Sequence, residues 1–153
     1  MSTLHLHQTT TATPQQFLAA LTDFGPDRST IFPNSQDQHL QVHSRTATTA
    51  DVTEGTGGVW ERLHYDWSNP TRIVITDTDS NVWGGQSGYV YTLTARPDGL
   101  TDIDETIVRD GKTLKGRIIG FGLGTALGKH AFDKGLTSTV LAIEARTTTP
   151  QAA

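Results

Sequence analysis

From His39 to Arg109 the chain alternates apolar and polar residues in short runs, and beyond Asp110-Gly111 that alternation stops. Residues 112–146 hold no proline and carry Phe132, Leu136, Val140 and Ile143 at helical spacing, which predicts a long amphipathic helix. A set of half-buried strands followed by one long helix leaves few architectures. The sheet must bury its apolar face, and this helix is its main cover. A chain of 153 residues has room for one such core, so a single domain over 1–153 is expected, with 147–153 as a disordered tail.

The strands are expected at 39–50, 58–67, 71–78, 86–96 and 101–109, cut by turn residues such as Ser68-Asn69-Pro70 and Pro97-Asp98-Gly99. Connections this short imply an antiparallel meander, because parallel strands need long crossovers. Leu4 to Ala12 reads as a first strand. Thr13-Pro14 then starts a helix: the hydroxyl caps free N–H groups, and proline at the first helical position loses nothing. Phe17, Leu18, Leu21 and Phe24 fall on one face of that helix, which is expected to stop at Gly25-Pro26, with a further helical turn over 27–32. The early part of the final helix carries Gly116, Gly120, Gly122, Gly124 and Gly128. Each interior glycine costs about 1 kcal/mol relative to alanine, so tertiary packing must compensate. The glycines either let backbones touch or leave a void.

This order of elements, with the Thr13-Pro14 helix start, Tyr65-Asp66-Trp67-Ser68-Asn69-Pro70 and the Gly135-Leu136 to Arg146 end, resembles the START/polyketide-cyclase-like (SRPBCC, helix-grip) superfamily. The resemblance implies an α+β fold in which a curved antiparallel sheet wraps around a long C-terminal helix, with short helices after the first strand. It also implies a cavity between sheet and helix that binds or carries a hydrophobic small molecule: a lipid, a polyketide or an aromatic. The alternative within the same superfamily is a polyketide cyclase/dehydrase-like enzyme that uses a pocket carboxylate or tyrosine for proton transfer.

Candidate cavity residues follow from strand parity and from loop position. Tyr89 and Tyr91 flank Val90 on one strand, and tyrosine suits a cavity wall because an apolar ring carries a polar tip. If Ile103 and Ile107 face inward, Glu105 and Arg109 do too, and the simplest expectation is a Glu105–Arg109 pair that orients a ligand. Glu105 is also the candidate catalytic acid or base. Glu61 shares parity with Leu63 and Tyr65, Trp83 sits on a loop able to close over a ligand, and Gly124 is a helix glycine able to open a void. The expected ligand-binding set is therefore Glu61, Tyr65, Trp83, Tyr89, Tyr91, Glu105, Arg109 and Gly124.

Other chemistries lack their residues. The Gly120 to His130 stretch is no phosphate loop, since Leu123 and His130 stand where glycine and a hydroxyl are required. No His-Glu-x-x-His or Gly-x-Ser-x-Gly occurs, and His5 with His7, like His39 with His43, reads as polar alternation; no metal and no cofactor is expected. There is no cysteine, hence no thiol nucleophile and no disulfide. A net charge of −4 argues against nucleic acid as partner. No apolar run reaches the roughly 20 residues of a membrane span, and the N-terminus lacks the pattern of a signal peptide. The expected partner is a hydrophobic small molecule in a cytoplasmic protein without stable membrane insertion, with a homodimer left open.

Overall fold

In a computed structural model that describes residues 1–148, seven strands form one antiparallel sheet and three helices cover it. The strands are β1 (Ser2–Thr10), β2 (Gln41–Arg45), β3 (Thr49–Gly55), β4 (Trp60–Asp66), β5 (Arg72–Ser80), β6 (Gly88–Ala95) and β7 (Thr101–Arg109). Their order, β1-β7-β6-β5-β4-β3-β2, is a meander from β2 to β7 with β1 added at the far edge. The helices are α1 (Pro14–Leu21), α2 (Leu114–Leu123) and α3 (Ala126–Thr148), and single 3-10 turns occupy Arg28–Thr30 and Asp37–His39. The fold is α+β helix-grip: a curved antiparallel sheet around a long C-terminal helix.

Local chemistry explains the boundaries. Thr13 and Gln16 form a capping box at the start of α1, each side chain bonding the other's backbone N–H. α1 ends at Leu21, one turn before the expected Gly25-Pro26 stop, because Arg28 takes the carbonyls of Leu21 and Asp23 at 3.0 and 2.8 Å. The expected single strand over 39–50 is a hairpin, β2 and β3. Its turn contains neither glycine nor proline. The Thr46 hydroxyl makes it instead, accepting from the N–H groups of Thr48 and Thr49. The expected continuous final helix is broken after Leu123, where Gly128 abuts the Gly122 carbonyl so closely that no Cβ fits. Thr147 and Thr148 continue α3 instead of fraying, and the rest of the expected tail lies outside the described residues.

The inner face of the sheet follows strand parity. On β7, Thr101, Ile103, Glu105, Ile107 and Arg109 are all buried. The core joins these to Phe17 and Leu21 of α1, Val52, Ile73 and Leu93 of the sheet, and Leu136, Val140 and Ile143 of α3. Polar ties hold α3 in place: the Thr139 hydroxyl donates to the Ile31 carbonyl at 2.8 Å, and Thr10 donates to Glu144 at 2.8 Å. No helix among the described residues is long and apolar enough to cross a membrane.

Candidate functional site

Where α3 passes over β3–β7 the packing is incomplete and leaves a cavity of about 320 Å³. Its apolar wall comes from Leu21, Phe32, Leu63, Ile75, Phe132 and Leu136. On the helix side the lining includes Gly135, an exposed glycine of α3 whose Cβ, if built, meets nothing within 4 Å. Gly124, the expected void former, lies at the α2–α3 break beside the Phe121 carbonyl and does not line the cavity.

Five of the expected residues, Glu61, Tyr65, Tyr89, Tyr91 and Glu105, line the cavity. Arg109 and Trp83 do not. Trp83 is buried against α2 rather than poised as a lid, and the Arg109 guanidinium stacks between its ring (5.1 Å) and that of Tyr89 (4.3 Å). The expected Glu105–Arg109 pair is absent. Arg109 reaches Glu61 instead, at 3.0 Å, and bonds the Tyr89 hydroxyl, which in turn donates to Glu61 at 3.1 Å. Two residues of one strand face share a side yet lie too far apart along it to outcompete a cation's neighbour across the sheet.

Glu105 consequently has no cation beside it among the described residues. Burial pushes its carboxyl up to about 7, and a hydrogen bond from Tyr91, its cross-strand partner on β6, only partly opposes that shift. Burial together with the nearby Glu105 holds the Tyr91 hydroxyl well above its ordinary range, so it acts as a neutral donor.

Three further polar residues escaped the sequence reading. Arg28 and Glu54 form a buried ion pair at 2.5 Å. Ser35 donates to Glu54 at 2.7 Å, Tyr65 donates to its other oxygen, and Phe24 and Phe32 sandwich the guanidinium at 4.7 and 4.5 Å. Arg28, Ser35 and Glu54 all line the cavity. Parity could have found Glu54, since Ala50 and Val52 point inward four and two residues before it. Nothing in the sequence marks Arg28, which stands on an isolated 3-10 turn. Asp77 also escaped notice. It is buried beside Glu61, and burial followed by the Glu61 charge raises it to about 7. Burial raises Glu61 as well, against the opposing pull of Arg109.

The cavity thus presents an apolar body and two kinds of polar wall. Arg28–Glu54–Tyr65, and Glu61–Tyr89 backed by Arg109 from outside the cavity, are charge-compensated, whereas Glu105 with Tyr91 is a neutral, proton-bearing patch at pH values below about 7.

No protein-family model matches the sequence, and no curated protein matches it. Solved structures do match in shape. A protein from Thermus thermophilus, TTHA0849, superposes with a TM-score of 0.70 over 95% of this chain and 99% of its own, at 12% identity. A START superfamily protein from Mycobacterium smegmatis gives 0.67 over 95% and 97%, at 9% identity. The Zhui aromatase/cyclase from Streptomyces sp. R1128 gives 0.66 over 94% and 92%, at 11% identity. Identities this low speak for architecture alone. With sheet order, helix placement and these likenesses together, the chain has the START/polyketide-cyclase-like helix-grip fold.

Proposed function

We propose that this chain binds or carries a compact hydrophobic molecule, aromatic or polyketide-like, in the cavity between sheet and α3. The observation that carries this reading is the cavity of about 320 Å³ with an apolar wall and a few convergent polar groups. Its size is at the small end for ligand pockets, which favours one or two rings over a long acyl chain. Likeness to a START superfamily protein and to an aromatase/cyclase supports the same ligand class. The test is native mass spectrometry of protein purified from its own host, followed by titration of the emptied protein with an apolar fluorophore. A protein that carries no small molecule and binds no fluorophore refutes the reading.

One observation favours the enzymatic alternative, a cyclase/dehydrase-like proton transfer. Glu105 lines the cavity, has no cation partner among the described residues and is raised to about 7, where a carboxyl can both accept and donate a proton. Glu105→Gln separates the two: a carrier retains binding of an apolar ligand, whereas an enzyme retains binding and loses turnover of a poly-keto substrate.

A further inference from the structure

α2 is amphipathic in the inverse sense. Two of its three glycines face the protein: a Cβ on Gly116 would lie 2.2 Å from the Val82 carbonyl oxygen, and one on Gly120 would touch the Trp83 ring at 3.7 Å. The loop at Val82–Trp83 therefore receives bare backbone, and the large side chains of α2 turn away from it. Leu114, Ile118 and Phe121, at i, i+4 and i+7 on one face, are 76%, 64% and 81% exposed, and Leu127 beyond the break is 83% exposed. Isolated exposed apolar residues need no explanation, but three large ones on one helix face, with a fourth just past the helix break, do.

The charge around them is equally one-sided. All four lysines of the chain lie between residues 112 and 134, and residues 111–132 carry Lys112, Lys115, Arg117 and Lys129 without one Asp or Glu, in a protein of net charge −4. All four of these cations are exposed. Lys112 meets Asp79 at 3.3 Å, and among the described residues Lys115 and Arg117 reach the carbonyls of Gly58 and Gly111 and no carboxylate.

From these two features we infer that the α2 face is a docking surface for an anionic lipid bilayer. Leu114, Ile118, Phe121 and Leu127 would enter the headgroup–acyl boundary while Lys115, Arg117 and Lys129 meet lipid phosphates. Apolar residues rimmed by long cationic side chains are what an interfacial helix requires, and the acidic remainder of the protein orients this face toward the surface. A second copy of the chain fits less well, because face-to-face pairing sets two basic rims against each other. An acidic polypeptide satisfies the charges but gives the protruding Ile118 and Phe121 nothing to enter. The surface lies outside the cavity, so it stands independently of the ligand-binding proposal.

The test is co-sedimentation with vesicles of phosphatidylcholine alone and of phosphatidylcholine with phosphatidylglycerol, at low and high salt. The expected result is pelleting with the anionic vesicles, weakened by salt. Ile118→Ser with Phe121→Ser lowers the affinity by at least about tenfold, with the melting temperature and cavity fluorophore binding unchanged. Lys115→Gln with Arg117→Gln, which keeps the apolar face, lowers it by roughly fivefold per charge. Pelleting with neither vesicle, or pelleting untouched by both double substitutions, overturns the inference. So does a lipid-free dimer, seen by sedimentation velocity, that the Ile118 and Phe121 substitutions dissociate. Binding to poly-glutamate as tight as to the vesicles and indifferent to those two substitutions also overturns it.

Discussion

Arg109 on β7 pairs with Glu61 on β4 at 3.0 Å, across two intervening strands, and so leaves Glu105 on its own strand without a counter-charge. That choice of partner decides the chemistry of the cavity. Burial raises both carboxyls, but the Arg109 guanidinium opposes the shift at Glu61, whereas Glu105, buried beside a tyrosine, rises to about 7 and takes up a proton near neutrality.

Glu105 should therefore leave a signature in the dependence of stability on pH. Its folded pKa is raised from 4.5 to about 7 and that of Asp77 from 3.8 to about 7, so between these limits the folded state holds more protons than the unfolded one. Stability must fall as pH rises from about 5 to about 7 and then level off, once both states are ionised. Glu105→Gln should flatten much of that fall while leaving the part due to Asp77 and Glu61. Thermal melts of both proteins from about pH 5 to about pH 8 check this; parallel curves would place the Glu105 carboxyl outside the buried wall.

Gly135→Leu should weaken fluorophore binding by narrowing the helix side of the cavity and leave the fold at least as stable. A Cβ at this position meets open space, and exchange of an interior helix glycine for leucine gains up to about 1 kcal/mol. Gly116→Ala should do the reverse, costing about 1–3 kcal/mol, since its Cβ would strike the Val82 carbonyl. Fluorescence titration and denaturant melts on the two variants distinguish a void from a close contact.

A chain ending at Gly128 should lose cooperative unfolding. It lacks Leu136, Val140 and Ile143, three buried side chains at about 1.5–3 kcal/mol each, against a net stability of about 5–15 kcal/mol for a whole domain. Circular dichroism on heating is the measurement, and a sharp transition near the full-length temperature would contradict the assignment of α3 as the main cover of the sheet.

Arg28→Met should destabilise by about 3–5 kcal/mol, because it strands the Glu54 carboxylate inside the protein. Adding Glu54→Leu should recover most of the loss, and a double-mutant cycle by chemical denaturation measures how much. Strict additivity of the two single effects would mean that the pair is not coupled.

What the sequence made legible was whatever obeys a local period. Ile103 and Ile107 foretold the side on which Glu105 lies, Leu63 and Tyr65 that of Glu61, and Phe132, Leu136, Val140 and Ile143 the face of the last helix. Parity gives a side of the sheet but not a partner, which is why it points to Glu105 for Arg109 where the folded protein supplies Glu61. Arg28 depends on a 3-10 turn brought over the sheet by tertiary contacts, and the Thr46 turn on a hydroxyl that composes no recognised turn pair. The glycines illustrate the same limit. Their spacing announced unusual packing, but only the tertiary structure decides that Gly135 has open space beside it at the cavity while Gly116 touches backbone.

The pairing of β1 with β7 has a consequence for biosynthesis. These two strands join residues as far apart as Ser2 and Arg109, and His5 bonds Thr106 across 101 positions. Leu4 and Leu6, buried in the finished protein, stay unsheltered until nearly all of the sheet has left the ribosome. Pairings between residues this distant in sequence should make refolding slow for the chain's size, in the millisecond-to-second range of proteins dominated by distant contacts. During that interval an uncovered β7 edge is the surface at which nascent chains would pair wrongly with one another.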